Sequence, residues 1–496
     1  MRVGGTTSHP CAIPTGHEER FMAKKYQPRH LATDFTEKYK SHTVEEPIQE
    51  TPQPSVRKSM FYSLLGNLIA PIAGLAIAPI LSNSLGDAGR GALGGITSLV
   101  LVATAVGAFG MPEALTFHAA RFVRRTGSVL KLVVGVLVLL GAVCAGVIYV
   151  LAPYLAADHG PWYAQLVVLT ALAVVPNMLI LIPRALVAAT HQWHLQALEQ
   201  GLFSLLRLGA ILVLLWTGNL NVLSAVIVTL VTPVLGALVY VPMLVKIRQQ
   251  KYRYSGEKQP VGEALGYGGK VWFGSLSGIV LSRIDQTLMI KLTTLQEQGL
   301  YAVAVTIGEV PSVISNAIRN VVFALDSRDS GDEDSAAAAD QRLTMTARVT
   351  TLITLLISLP IALTAQWWIG PIFGQEFEAA VPMTWVLLGA AAIGSAGSVA
   401  GAGLSGRGHP DLRSWSMAIG AVFNLLVLIT LTPHIGGMGA ALSTLVGSGL
   451  AGFSNIVFLK LKFGFKIHEF YFARGADFAL LGRAARAVLR KAKIMK

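Results

Sequence analysis

The sequence predicts an all-α polytopic membrane protein: about twelve transmembrane helices in two pseudo-symmetric six-helix bundles around a central cavity. Three observations predict it. Of the 496 residues, 53% are apolar and only 14% are charged, little more than half the usual quarter. The apolar residues come in blocks long enough for a bilayer core about 30 Å thick, which takes about 20 helical residues to cross. Basic residues gather in every second gap between blocks. Mean hydropathy is +0.57, which excludes a secreted disulfide scaffold, a disordered protein and an ordinary nucleic-acid binder. The two cysteines, Cys11 and Cys144, cannot build a framework or a zinc site. The net charge of +13 reads as basic cytoplasmic loops, with no nucleic acid as partner.

Residues 1–58 are polar, carry Pro-rich stretches, and lack a signal-peptide profile; they are expected to form a disordered cytoplasmic tail. The blocks follow at 60–82, 92–115, 128–155, 162–190, 200–217, 222–245, 268–291, 299–324, 349–370, 381–403, 415–433 and 437–460. Lipid forces each into a helix, because the backbone must satisfy its own hydrogen bonds. The alternating ten-residue strands of a barrel are not seen. Even-numbered gaps carry Arg121, Arg124, Arg125, Lys131, Lys246, Arg248, Lys251, Arg253, Lys258, Arg328, Arg342, Arg348, Arg407 and Arg413; odd-numbered gaps carry only Arg90 and Lys291. This bias places both termini in the cytoplasm and the chain in the cell inner (plasma) membrane as a multi-pass protein. Asp326–Asp340, rich in acids, reads as a solvated linker without the spacing of a calcium loop. Residues 463–496 form a basic cytoplasmic tail, and Asp477–Lys496 alternates apolar and basic residues as an amphipathic helix on the inner leaflet would.

The chain also reads as duplicated. LGDAGRGALGGITS (85–98) corresponds to LQEQGLYAVAVTIG (295–308), each running into the second helix of its half. A weaker echo pairs 191–215 with 408–431, each placing a polar turn before a fifth helix. The expected bundles are 59–246 and 264–462, joined by a basic linker at 247–263. Six spans per half make the repeats parallel, and two such bundles frame a cavity suited to alternating access.

Ionisable groups inside spans are costly, so each is a candidate. Arg184 and Arg207 stand about 9 and 10 Å from the inner ends of consecutive helices. Snorkelling to the interface is the plainer reading for both. Arg283 and Asp285 stand about 12 and 9 Å from the outer end of the seventh helix, on different faces. Glu309, about 15 Å into the eighth, can reach Arg283. Asp285 then lacks an obvious partner, which makes it the better ion-coupling candidate. Arg319, Lys270 and Glu113 lie near inner ends, where snorkelling competes with function. The candidate substrate-binding set is Arg283, Arg184, Arg207 and Arg319; the ion-coupling set is Asp285, Glu309 and Glu113.

The runs RIDQTLMIKLTTLQEQGLYAVAVTIGEVPSVISNAIRNVVF (283–323), FGQEFEAAVPMTWVLLGAAA (373–392), NLLVLITLTPHIGGMGAALSTLV (424–446) and SLLGNLIAPIAGLAIAPILSNSLGDAGRGAL (63–93) resemble bacterial polysaccharide (O-antigen-type) flippases of the multidrug, oligosaccharidyl-lipid and polysaccharide exporter group. The resemblance covers about 59–462 and rests on loose Gly, Pro and small-residue motifs. It implies alternating-access transfer of a polyprenyl-pyrophosphate oligosaccharide from the inner to the outer leaflet for surface polysaccharide or exopolysaccharide assembly. It further implies coupling to protons or sodium, a polysaccharide polymerase or glycosyltransferases as partners, no cofactor and no catalytic residue. Arginine suits the pyrophosphate, being a bidentate ligand that stays charged when desolvated. Two transporter alternatives stand beside it. A multidrug antiporter would favour an acidic, aromatic cavity, and a peptidoglycan-precursor flippase often carries two additional helices. A membrane glycosyltransferase would need a large acidic outer loop, which these short loops do not offer.

Overall fold

The computed structural model describes residues 56–121, 126–249, 261–313, 315, 316, 318, 333–472 and a few positions between 474 and 482. The expected tails and linker fall mostly outside these residues, including nearly all of the amphipathic C-terminal helix. Among the described residues there is no strand.

The first two spans share one helical run, Val56–Ala108, that turns at Gly86. The second continues after Gly110 as Met111–Arg121. The third is Thr126–Leu155; the fourth joins Pro161–Leu179 to Leu181–Ala189. Trp193–Trp216 is the fifth, and Val222–Gly236 leads through a short 3-10 turn into Val241–Gln249 as the sixth. Val261–Leu292 is the seventh and Leu295–Gly308 opens the eighth. Glu333–Phe373, Val381–Gly406, Pro410–Ile435 and Gly437–Phe463 complete the series. By length and composition, nine helices of the described residues are apolar enough to cross a membrane. The first of these holds two spans, divided at Gly86, whose φ of 70° and ψ of 179° only glycine adopts readily. The seventh falls short because it carries the polar groups discussed below, and the eighth because only part of it lies among the described residues. Together these make twelve.

Local chemistry sets the ends. Pro161 and Pro410 start helices where no N–H is needed. Asn221 and Ser224 form a capping box, and the Thr294 hydroxyl accepts from the Glu297 N–H at 3.2 Å. Several helices begin earlier than the apolar blocks suggest, because polar turns at their starts remain helical. The fifth starts at Trp193 and the ninth at Glu333, so Glu333, Asp334 and Asp340 belong to a helix instead of a solvated linker. The intervening alanine run is a strong helix former, and Asp340 pairs with Arg407 at 2.9 Å.

The two lobes repeat one packing scheme. In each, the first span packs on the fifth, the third on the fourth, and the fourth and fifth on the sixth. His191 and Gly408, equivalent in the weaker echo, both take positive φ just before the fifth span of their lobe. Segments 85–98 and 295–308 pack on each other, as a two-fold axis along the membrane normal requires. A Cβ on Gly299 would stand 1.9 Å from the Asp87 carbonyl oxygen, and one on Gly91 would stand 2.0 Å from that of Leu295. Outward faces are apolar: Leu139, Val143, Val147 and Val150 form an exposed stripe at helical spacing, a surface suited to lipid.

The lobes close unequally at their two ends. At the end distal to the termini, Lys291 pairs with Asp158 at 2.5 Å, and the Asn83 amide donates to the Ile372 carbonyl at 2.7 Å. His159 meets the Ile290 carbonyl there. At the termini end the lobes meet along the second and seventh spans, where Phe117 stacks on Tyr267 and the Trp272 indole N–H donates to the Ala105 carbonyl at 2.9 Å. No extended contact joins the fourth to sixth spans with the tenth to twelfth among the described residues. The space between the lobes is thus closed distally.

A buried ion pair clamps the chain after the twelfth span. Arg348 donates to both oxygens of Asp477, at 2.7 and 3.2 Å, and to the Glu469 carbonyl at 2.8 Å. The two side chains are 5% and 1% exposed. The Arg348 guanidinium holds the Asp477 carboxyl below its ordinary pKa. The stabilisation is therefore complete above the usual aspartate range, about pH 4, and is lost as pH falls through the lowered folded value. Asp477→Asn leaves Arg348 uncompensated and is expected to cost about 3 kcal/mol, read as a lower melting temperature in detergent that ceases to differ from wild type in acid. Gly299→Ala forces the second and eighth spans apart and is expected to cost about 1–3 kcal/mol by the same assay.

Candidate functional site

The earlier start of the fifth helix moves Arg207 deeper than the sequence suggests. It lies fourteen residues from Trp193 and nine from Trp216, about 21 and 14 Å from the two ends. Its Nε is buried within the protein instead of reaching the termini end. Arg283 also lies nine residues from the distal end of its span, Leu292. One arginine of each lobe thus stands at the same depth, near the bilayer middle.

Arg283 pairs with Glu309 at 2.8 Å, as the depth argument expects. The pair is not sealed in a core: Arg283 is 29% exposed and Glu309 50%. A third cation joins them from the other lobe. Arg90, expected in an outer loop, sits on the second helix one turn past Gly86. Its guanidinium reaches back to the Thr306 hydroxyl at 3.3 Å. Thr306 and Glu309 are three residues apart, so both present to the same side of the eighth span. Arg207 lies close enough to Arg90 for their charges to repel. Neither has a carboxylate partner among the described residues, and the Nε of each is buried without an acceptor. Three guanidiniums from the second, fifth and seventh spans thus lie around this turn of the eighth, and its one carboxylate pairs with Arg283. Each offers five N–H donors in a rigid fork, and most of those on Arg90 and Arg207 are unused.

Asp285 does not lack partners, contrary to the expectation from its helix face. It is 2% exposed. It accepts from the Tyr301 hydroxyl, from Thr444 at 3.1 Å, and from the Gln286 N–H at 2.7 Å. Tyr301 and Thr444 lie 3.1 Å apart. Tyr301 and Thr444 come from the eighth and twelfth spans and carry no charge, so a search for ionisable residues passes over them. Asn424, on the eleventh span, is fully buried, and neither polar atom of its amide has a partner among the described residues.

The other candidates separate from this centre. Arg184 pairs at 2.7 Å with Glu199, which is wholly buried and also accepts from Tyr240 at 3.3 Å. Glu199 was invisible in the sequence because it fell in a presumed loop ahead of the fifth block. Glu113 lies beside Ser275 at the contact of the second and seventh spans. Lys270 is exposed, and Arg319 lies outside the described residues. No group of three His, Cys, Asp or Glu that could hold a metal ion occurs among the described residues.

Residues 56–324, a little over half of the chain, match the family described as "Polysaccharide biosynthesis protein". The chain belongs to that family. The matched region of this polysaccharide biosynthesis protein holds Arg90, Arg207, Arg283, Asp285 and Glu309. No curated protein is similar enough in sequence to count as a match. Among solved structures, the chain is similar to the lipid II flippase MurJ in an inward closed conformation, with 12% identity, 84% of this chain and 88% of that one covered, and a TM-score of 0.65. It is also similar to an inward-facing multidrug resistance MATE family transporter of the MOP superfamily, with 15% identity, 82% and 98% coverage, and a TM-score of 0.61. The outward-facing conformation of a MATE family transporter gives 13%, 85%, 99% and 0.57. These likenesses establish a shared twelve-helix, two-lobe membrane fold.

The Arg184–Glu199 pair tests which charges are structural. Arg184→Ala strands a buried carboxylate and is expected to cost about 3 kcal/mol. Adding Glu199→Gln is expected to recover most of that stability, measured by thermal unfolding of both purified variants.

Proposed function

We propose that this member of the polysaccharide biosynthesis family is a flippase for a polyprenyl-pyrophosphate-linked oligosaccharide, carrying it from the inner to the outer leaflet by alternating access. The termini end is the cytoplasmic one on the basic-residue bias. The observation that carries the reading is the cluster of Arg90, Arg207 and Arg283 between the lobes. Its guanidiniums outnumber its one carboxylate and keep donors unpaired at mid-membrane depth. A pyrophosphate is the group such a cluster fits: doubly anionic or more, rich in acceptor oxygens, and matched to the bidentate fork. Cationic drugs would meet repulsion there. Closure at the distal end leaves the site to be loaded from the cytoplasmic leaflet. Opening it outward requires breaking Lys291–Asp158 and the polar contacts beside it, and shifting the close packing of the second span on the eighth at Gly91 and Gly299.

Work against a gradient needs coupling to an ion, and Asp285 is the proposed coupling group. It is the most buried of the candidate carboxylates, held by Tyr301 and Thr444, with Asn424 nearby on the same lobe. Uptake or release of a proton or sodium there would alter packing among the seventh, eighth, eleventh and twelfth spans. The seventh also carries Arg283, two residues away. The reaction makes and breaks no covalent bond, so the residues act by binding and by shape.

Deletion of the gene is expected to trap a polyprenyl-pyrophosphate oligosaccharide in the inner leaflet and abolish one surface glycan, measured by lipid extraction and leaflet-selective labelling. Intact chain restores the glycan; Arg207→Ala, Arg283→Ala and Asp285→Asn, expressed at equal level, are expected to restore under about a tenth of it. Absence of a trapped lipid, with altered tolerance of cationic drugs, would sink the reading.

A further inference from the structure

We infer that Glu309 is a built-in counter-ion that occupies the anion site of the empty protein and surrenders Arg283 to the phosphate of the entering substrate. The inference rests on the flippase reading and concerns how its site is kept in the unloaded state. Glu309 is the sole carboxylate paired to the cluster among the described residues, and it is half exposed, unlike the wholly buried Glu199 or Asp285. A carboxylate that served only to stabilise the fold would be expected in a sealed environment of the kind Glu199 occupies beside Arg184.

Its place on the helix strengthens the argument. Glu309 is a one-residue turn inside the eighth span: Leu295–Gly308 ends before it, helix resumes at Val310, and Pro311 follows two residues later. Proline removes a backbone donor and loosens the ladder at this turn. The one partner of the carboxylate at this turn, among the described residues, is Arg283. The same turn can bend to move the carboxylate aside. A pyrophosphate brings more charge and more acceptor oxygens than one carboxylate, so it can displace Glu309 from Arg283 while also taking the free donors of Arg90 and Arg207. Once the phosphate leaves, Glu309 reclaims Arg283 and opposes rebinding.

The test uses the full chain in nanodiscs, with polyprenyl pyrophosphate and polyprenol as probes. Wild type is expected to bind the pyrophosphate in preference to the polyprenol. Glu309→Gln is expected to bind the pyrophosphate about tenfold more tightly and to release it more slowly, with unchanged binding of polyprenol. In an Arg283→Ala background the Glu309→Gln effect is expected to vanish, which a purely structural role would not produce. Unchanged or weaker pyrophosphate binding by Glu309→Gln, in protein with a wild-type melting temperature, overturns the inference; so does a gain that persists without Arg283. If Glu309→Gln melts early, Glu309→Ala is read in its place against the same outcomes. Equal binding of pyrophosphate and polyprenol by wild type overturns the flippase reading itself, a result distinct from either of these.

Discussion

Every polar group within the hydrocarbon must find a partner inside the protein, since lipid supplies none. The rest of this structure follows from that constraint. It makes each span a helix and sends Leu139, Val143, Val147 and Val150 outward. It also drives the charged residues into the lobes or between them, and sorts them into two kinds. Arg184 with Glu199 and Tyr240, and Asp285 with Tyr301 and Thr444, are each satisfied within one lobe. Arg90, Arg207 and Arg283 come from both lobes, and among the described residues only Arg283 has a carboxylate partner, Glu309. An incompletely satisfied set of charges in the middle of a membrane is costly to fold. Its persistence is most simply explained by an anion that completes it.

Close approach between the lobes is confined to one line. The second span lies against the seventh, with Gly110 and Gly268 in near contact at the termini end. Its beginning lies against the eighth, where Gly91 and Gly299 let the backbones meet. Small residues permit helices to pack at short distance in lipid, where association depends on van der Waals contact. The second span is thus the shared wall of both lobes, interrupted at Phe109 and Gly110 by two residues of positive φ. Arg90 rides on it close to the distal seal. A rocking motion about this wall would change the distance from Arg90 and Arg207 to Arg283, linking the state of the site to the state of the two ends.

How much of this was legible in the sequence differs between helices and partners. Twelve spans, their duplication and the Arg283–Glu309 pair could be read from apolar runs and a rise of 1.5 Å per residue. The depth argument worked for that pair because both residues lie well inside their helices, so an error of a few residues at the ends did no harm. It is less informative on the fifth helix, which carries Arg207 and Glu199. The first turns of that helix are polar, so the apolar run starts at about residue 200 while the helix itself begins at Trp193. Arg90 was misplaced for a related reason. The turn at Gly86 takes a single residue, so the second helix starts earlier than its apolar run.

The sequence by itself determined the membrane class, the number of spans, the two-lobe repeat and the excess of arginine over acid, because these follow from composition and period, which are local. Only the tertiary structure decided which arginine has a partner, that Asp285 is held by Tyr301 and Thr444, and that Arg90 meets Thr306 of the other lobe. Those facts depend on helix rotation and on the crossing of the two lobes. Hydropathy carries no information about either, since the lipid is indifferent to which apolar face a helix shows it.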